Sequence, residues 1–179
     1  MRYLFLIIIV LPIVGFSQSS VITWSDTVKL SWEDYRIRKA KGKVSAVSFV
    51  SIDYKYEQKG SKLYVYIYSK FFPSKSWAIP NASNNLLDHE QTHFDIVELH
   101  SRKFRKLIHE ANLKPKNAHK KIEKLFKVIL DEKNHCQEQY DKETNFSENK
   151  EKQKEWTDKI NEELKKLNSY STTDIIKNF

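Results

Sequence analysis

Cysteine is almost missing from this chain of 179 residues. Cys136 stands alone, so no intramolecular disulfide can form. A lone thiol fits a small core hydrophobe better than a nucleophile or a ligand. Glycine and proline are scarce as well, three and four residues, which leaves little room for a long flexible linker. Acidic side chains are outnumbered, 23 Asp and Glu against 31 Lys and Arg, for a net charge of +8. That excess alone does not define a nucleic-acid binder, which needs a basic patch joined to a recognisable reading element. Glu and Asp are interleaved through the C-terminal half, as on solvated helix faces, and no nucleic-acid partner is expected. Beyond residue 18 no apolar run is long enough to span a bilayer.

The one long apolar run is at the start. Met1-Arg2 is basic, residues 4–14 are almost unbroken apolar, and Gly15-Phe16-Ser17-Gln18 supplies small residues for cleavage. This is the anatomy of a secretory signal peptide over residues 1–18, and its apolar part is short for a membrane span. No cysteine follows it, so a lipid-modified N-terminus is not indicated. The expectation is an exported protein, periplasmic or secreted, whose residues 19–179 form one domain with a real core.

Two periodicities divide that domain. Over residues 21–72 the pattern is strand-like: Val44, Ala46, Ser48, Val50, Ile52, Tyr54 and Tyr56 share one face of an extended segment. After the Gln58-Lys59-Gly60-Ser61 turn, Leu63, Val65 and Ile67 alternate with Tyr64, Tyr66 and Tyr68, which predicts a β-hairpin. Ile22-Thr23-Trp24 and Val28-Lys29-Leu30 offer one or two further short strands. From Ser83 to residue 169 the period is helical. A first helix runs from the Ser83 or Asn84 cap to about Leu113, since Pro115 forbids simple continuation. A second covers about 117–144 with the stripe Ile122, Leu125, Phe126, Ile129, Cys136 and Tyr140. A third, about 148–167, carries Trp156, Ile160, Leu164 and Leu167. The fold class is α+β, a small antiparallel sheet followed by three helices.

The first helix contains Leu86-Leu87-Asp88-His89-Glu90-Gln91-Thr92-His93-Phe94-Asp95, and within it His-Glu-x-x-His. Residues four apart lie one turn apart on the same face, so both imidazoles can reach one ion. Glu90 sits beside them, placed to take a proton from a metal-activated water and return it to a leaving amine. Zinc suits the set because it tolerates an open coordination position and needs no redox chemistry. His89 and His93 are thus candidate metal ligands and Glu90 the candidate general base of a zincin-like helix.

Projection at 100° per residue puts Ile96, Val97, His100, Phe104 and Leu107 on the histidine face, which therefore points inward. His100 is about 10 Å further along the axis than His93, too far for the same ion, and reads as a buried, hydrogen-bonded histidine. Asp95 points well away and reads as a surface or capping carboxylate. His109, His119 and His135 read as surface residues. A catalytic zinc has three protein ligands and a water. Ile96 and Leu99 stand where one class of zincin needs Gly and His. The third-ligand candidates are Glu110, Glu123 and, preferred, Asp141, at the edge of the apolar face of the second helix. Tyr140 beside it has two readings: a donor to the tetrahedral intermediate or an ordinary core tyrosine.

The segment Leu86 to Ile96 resembles the core of a bacterial family known as domain of unknown function 922, whose members are described as predicted secreted zinc-dependent proteases. Tyr140-Asp141-Lys142-Glu143-Thr144 with Gln153-Lys154-Glu155-Trp156 is similar to its second motif. Leu30-Ser31-Trp32-Glu33-Asp34-Tyr35 and Ser76-Trp77 fit as well. The resemblance implies a secreted zinc metallopeptidase acting on a peptide or protein. There is one departure. The family's second motif usually reads Tyr-Asp-x-x-Thr-x-His, and Phe146 holds the last place here. Two expectations follow: a zinc-dependent metallopeptidase, or a catalytically weak or inactive metal-binding module of the cell envelope.

Overall fold

One central helix organises the chain. In the computed structural model, which describes residues 21–40 and 44–179, α1 runs Asn84–Glu110. The signal-peptide reading of residues 1–18 lies outside the described residues. Ser83 starts α1, its hydroxyl accepting from the Leu86 N–H at 3.2 Å, which satisfies one of the first-turn donors that a helix leaves open. The helix stops at Ala111, ahead of Pro115. None of the described helices is long and apolar enough to cross a membrane.

Against α1 lies an antiparallel hairpin, β4 (Val50–Lys59) and β5 (Lys62–Phe71). The register pairs Lys59 with Lys62, so the loop is Gly60-Ser61, and Gly60 takes the left-handed φ of 58° that a tight hairpin turn requires. Leu63, Val65, Ile67 and Phe71 point inward and are all but inaccessible, while Tyr64, Tyr66 and Tyr68 alternate outward. Leu63, Val65 and Ile67 pack on Val97, Phe104 and Ile108 of α1 and on Ile122 and Ile129, and Phe71 packs with Phe94 and Tyr35. Each such side chain contributes roughly 1.5–3 kcal/mol by leaving water. The expected hairpin and the α+β class are both present.

The sheet is more elaborate than its sequence pattern. β1 (Ile22–Thr23) pairs with the end of β5, whereas Val28 to Leu30 forms no strand, Leu30 giving its N–H to the Gln91 side chain at 2.8 Å. The extended run from Val44 breaks at Ser48-Phe49. Tyr35 and Ser48 hydroxyls bond at 2.7 Å, and the Phe49 N–H donates to Ser76 Oγ at 2.9 Å. Before the break, β3 (Ala46–Val47) joins a separate small sheet with β2 (Arg36–Ile37) and β6 (Trp77–Ala78), in the order β2-β6-β3. The tail beyond the helices adds β7 (Asp174–Asn178) to β5.

Two further helices complete the domain, α2 (Ala118–Thr144) and α3 (Lys150–Lys166). The Asn149 side chain caps α3 by accepting from the Lys152 N–H at 3.1 Å. Ile122 and Ile129 of α2 meet the C-terminal half of α1, and Tyr140 meets its beginning. α2 therefore runs antiparallel to α1, and its last turn returns to the first turns of α1. Trp156, Ile160 and Leu164 of α3 close on Ile96, Leu99 and Tyr140.

Candidate metal centre

That antiparallel return brings together residues 52 positions apart in sequence. His89 and His93 face the same way from α1, and Asp141 reaches them from the end of α2. Asp141 Oδ1 is 3.1 Å from His89 Nε2 and 2.9 Å from His93 Nε2, and the two Nε2 atoms are 3.1 Å apart. A tetrahedral zinc held at about 2.0–2.2 Å needs ligand atoms roughly 3.3–3.5 Å apart. The triangle thus needs to open by only a few tenths of an ångström, and two imidazole nitrogens with one carboxylate oxygen are a donor set zinc accepts. Among the described residues this is the one group of three such ligands close enough to share an ion.

The ring orientations are set from behind. Gln137, one turn before Asp141 on α2, places its Oε1 on His93 Nδ1 and donates through Nε2 to the His93 carbonyl at 3.1 Å. An Nδ1–H committed to Gln137 leaves the His93 Nε2 lone pair directed at the triangle. That lone pair and the Asp141 oxygen cannot share a 2.9 Å contact unless a proton or a cation lies between them. Burial pushes the His93 pKa down, but the Asp141 hydrogen bond and the Glu90 charge override it and the net shift is upward. Burial pushes the Asp141 carboxyl up, and the hydrogen bonds from His89 and His93 more than reverse this, holding it well below the usual carboxylate range. His89 is held differently, stacked on the Tyr140 ring at 4.5 Å and 19°. Its Nδ1 is buried without a partner among the described residues.

Glu90 is 4% exposed. No hydrogen bond or ion pair from the described residues engages its carboxylate, and neither oxygen is sealed from solvent. Its charge is felt by Tyr35, whose phenol burial raises first and Glu90 raises further. Tyr140 is fully buried, lies edge-on to His93 at 5.0 Å, and directs its hydroxyl at the His89 carbonyl oxygen, 3.5 Å away. Burial raises its pKa above the ordinary tyrosine value.

The other residues considered as ligands lie elsewhere. Glu110 is exposed beside Lys106, and Glu123 is exposed beside His119. His109, His119 and His135 are on the surface. His100 is buried, and its Nδ1–H donates to the Ile96 carbonyl at 2.8 Å. Burial lowers its pKa to about 4. Cys136 is half-buried at the edge of the α1–α3 cluster. Asp95 requires correction: it is not a surface or capping carboxylate but 5% exposed, its Oδ1 accepting from Trp24 Nε1 at 2.7 Å and Gln91 Nε2 at 2.9 Å. The N-terminal segment folds over that face of α1, which the helical projection of α1 alone could not reveal. Gln137 was not anticipated either. Its signal was its position, four before Asp141 and three before Tyr140, on the line that carries both. Phe146 is 66% exposed in a turn where Asn145, Phe146 and Ser147 all have positive φ, and its N–H donates to the Asp141 carbonyl at 2.9 Å.

Residues 70–148 match the family described as bacterial protein of unknown function (DUF922). The matched region contains α1, α2 and the turn at Phe146, and with them the whole triangle. The similar segments at 30–35 and 153–156 lie outside it. No curated protein and no solved structure matches the chain.

Proposed function

We propose that this chain, a member of the DUF922 family over residues 70–148, is an exported zinc-dependent hydrolase of peptide or amide bonds. Export rests on the apolar N-terminal segment, and the substrate class is an extracytoplasmic peptide or protein. One observation carries the reading: a three-ligand triangle stands beside a buried glutamate, on the helix of its two histidines, that no side chain among the described residues engages. His89, His93 and Asp141 would hold the ion, and zinc bound there supplies an acidified water and a polarised carbonyl.

The rest of the chemistry belongs to the chain. Glu90 takes the proton of the attacking water while the new C–O bond forms, then delivers it to the amine nitrogen as the C–N bond breaks, so its carboxylate is regenerated. A carboxylate already tied to an arginine would be a poor base, and Glu90 has no such partner among the described residues. Gln137 and Tyr140 keep the two imidazoles in place. For Tyr140 to donate to a developing oxyanion, its hydroxyl must leave the His89 carbonyl, and a 3.5 Å bond makes that a small loss.

Zinc content of the purified mature chain tests the site. About one equivalent is expected, lost or sharply weakened in His93→Ala and Asp141→Ala. Glu90→Gln should keep the zinc and lose hydrolysis of a mixed peptide library. Zinc retained at full affinity by Asp141→Ala, or full activity in Glu90→Gln, would refute the assignment. A second reading, a zinc-binding envelope module without turnover, is favoured by Phe146, which stands exposed at the place where the resemblance to the family's second motif implies histidine. The same assay recognises it as zinc bound normally with no cleavage by the parent chain.

A further inference from the structure

Across α1 from the triangle the protein encloses a second polar site. Asp95 and Arg102 project some 180–200° away from His93 around the helix and open onto a cavity of about 430 Å³, within the range of small-molecule sites. Trp24, Asp26 and Lys29 of the N-terminal segment form one wall, and Lys165 at the end of α3 stands on the other.

The charges are unbalanced in one direction. Arg102 and Arg105 are 2% and 1% exposed, and both bond to the same carboxylate, Glu98, at 3.0 and 2.9 Å. Two buried guanidiniums therefore share one buried counter-charge. Arg105 also donates from Nη1 to the Tyr170 carbonyl and from Nη2 to the Ile67 carbonyl, while its Nε is buried without a partner among the described residues. Arg102 gives Nη1 to the Leu164 carbonyl at 2.8 Å, but among the described residues its Nη2 has only a 3.4 Å contact to Asp26, a carboxylate 76% exposed. So long a pair with a solvated partner compensates little of a buried charge. The guanidinium carbon lies over the Trp24 ring at 5.2 Å, and Arg102 lines the cavity beside it. Asp95 also lines the cavity; its Oδ1 accepts from Trp24 and Gln91, and burial raises its carboxyl pKa, which weakens its competition for the guanidinium.

We infer that this cavity binds a small oxyanion, a carboxylate or a phosphate group, against Arg102 Nη2. Lys29 and Lys165 supply the surrounding positive field, and Asp26 is the stand-in that the ligand displaces. With Nε and Nη1 committed to Glu98 and Leu164, Nη2 is the nitrogen left to donate, and a charge-assisted hydrogen bond from it to an oxyanion is the strong kind. The site is separate from the triangle, and binding needs neither zinc nor turnover.

The test is titration of the ¹⁵N-labelled mature chain with succinate, inorganic phosphate and, as a neutral control, glycerol, following the Trp24 indole N–H. A saturable shift is expected with at least one anion and none with glycerol; succinate alone or phosphate alone identifies the group recognised. Arg102 variants endanger the fold, so two rim variants carry the argument. Lys165→Ala should weaken binding by about fivefold, the worth of one exposed charge. Asp26→Asn should tighten it several-fold by removing the competing carboxylate. No saturable shift with either anion, or affinity unchanged or reduced in Asp26→Asn, overturns the inference.

Discussion

Two glutamates on α1, eight residues apart, are buried to nearly the same degree. Glu90 is 4% exposed and Glu98 is 2%. Glu98 accepts from Arg102 at 3.0 Å, Arg105 at 2.9 Å and the Ser69 hydroxyl at 2.7 Å. Glu90 accepts from none of the described side chains. Burying a charge is costly unless it is paired; Glu98 offsets that cost with three donors, whereas the carboxylate oxygens of Glu90 stay within reach of solvent. Accessibility does not separate the structural glutamate from the one proposed to react, and the count of partners does.

The comparison can be broken most forcefully by neutralising each carboxylate. Glu98→Gln leaves Arg102 and Arg105 buried without their counter-charge, and a loss of about 3–5 kcal/mol is expected in urea unfolding. Glu90→Gln breaks no bond and should stay within about 1 kcal/mol of the parent. If the two variants are equally destabilised, the distinction between them fails.

The histidines of the same helix repeat the contrast. His93 is held in a charge-accepting environment by Asp141, whereas His100 is buried as the neutral imidazole with a folded pKa of about 4. An unfolded histidine titrates near 6.5, so between those values the unfolded chain binds the extra proton. His100 thus contributes stability that is fully present above about pH 6.5 and is lost as pH falls towards 4, by roughly 3 kcal/mol. Unfolding free energies of zinc-free parent and His100→Gln at pH 7 and pH 4.5 measure this. The parent should lose more than the variant across that interval, and equal losses would remove His100 from the account.

How far this was legible in sequence depended on whether the information was local. The 3.6-residue and two-residue periods carry α1, α2, α3 and the hairpin, because each face pattern is set by its own segment. His89, Glu90 and His93 are readable because one helix turn fixes their spacing. Asp141 was reachable because it sits at the edge of an apolar stripe. What failed was non-local. Asp95 looked solvated because nothing in α1 says that Trp24 will fold over it. Residues 46–47 looked like part of the hairpin because a break at Ser48 depends on Tyr35 and Ser76, far away in the chain. β7 lacked a pattern long enough to detect, and its pairing comes from the open side of β5.

The smallest expected effect tests whether the triangle is held by its surroundings or by its ligands alone. Gln137 fixes the tautomer of His93 through Nδ1, while His89 has a stacked ring and no such acceptor. Gln137→Ala should therefore cost about 10–100-fold in zinc affinity, or roughly 1.4–2.7 kcal/mol. Its effect on metal-free stability should be smaller, since the residue is only part-buried. Gln137→Glu should recover the affinity or exceed it, because a carboxylate is the stronger acceptor for that N–H. Competition with a chelator of known strength reads both variants. Parent-like affinity in Gln137→Ala would mean that His93 is oriented by its packing against Tyr140, as His89 is, and that the two imidazoles are equivalent.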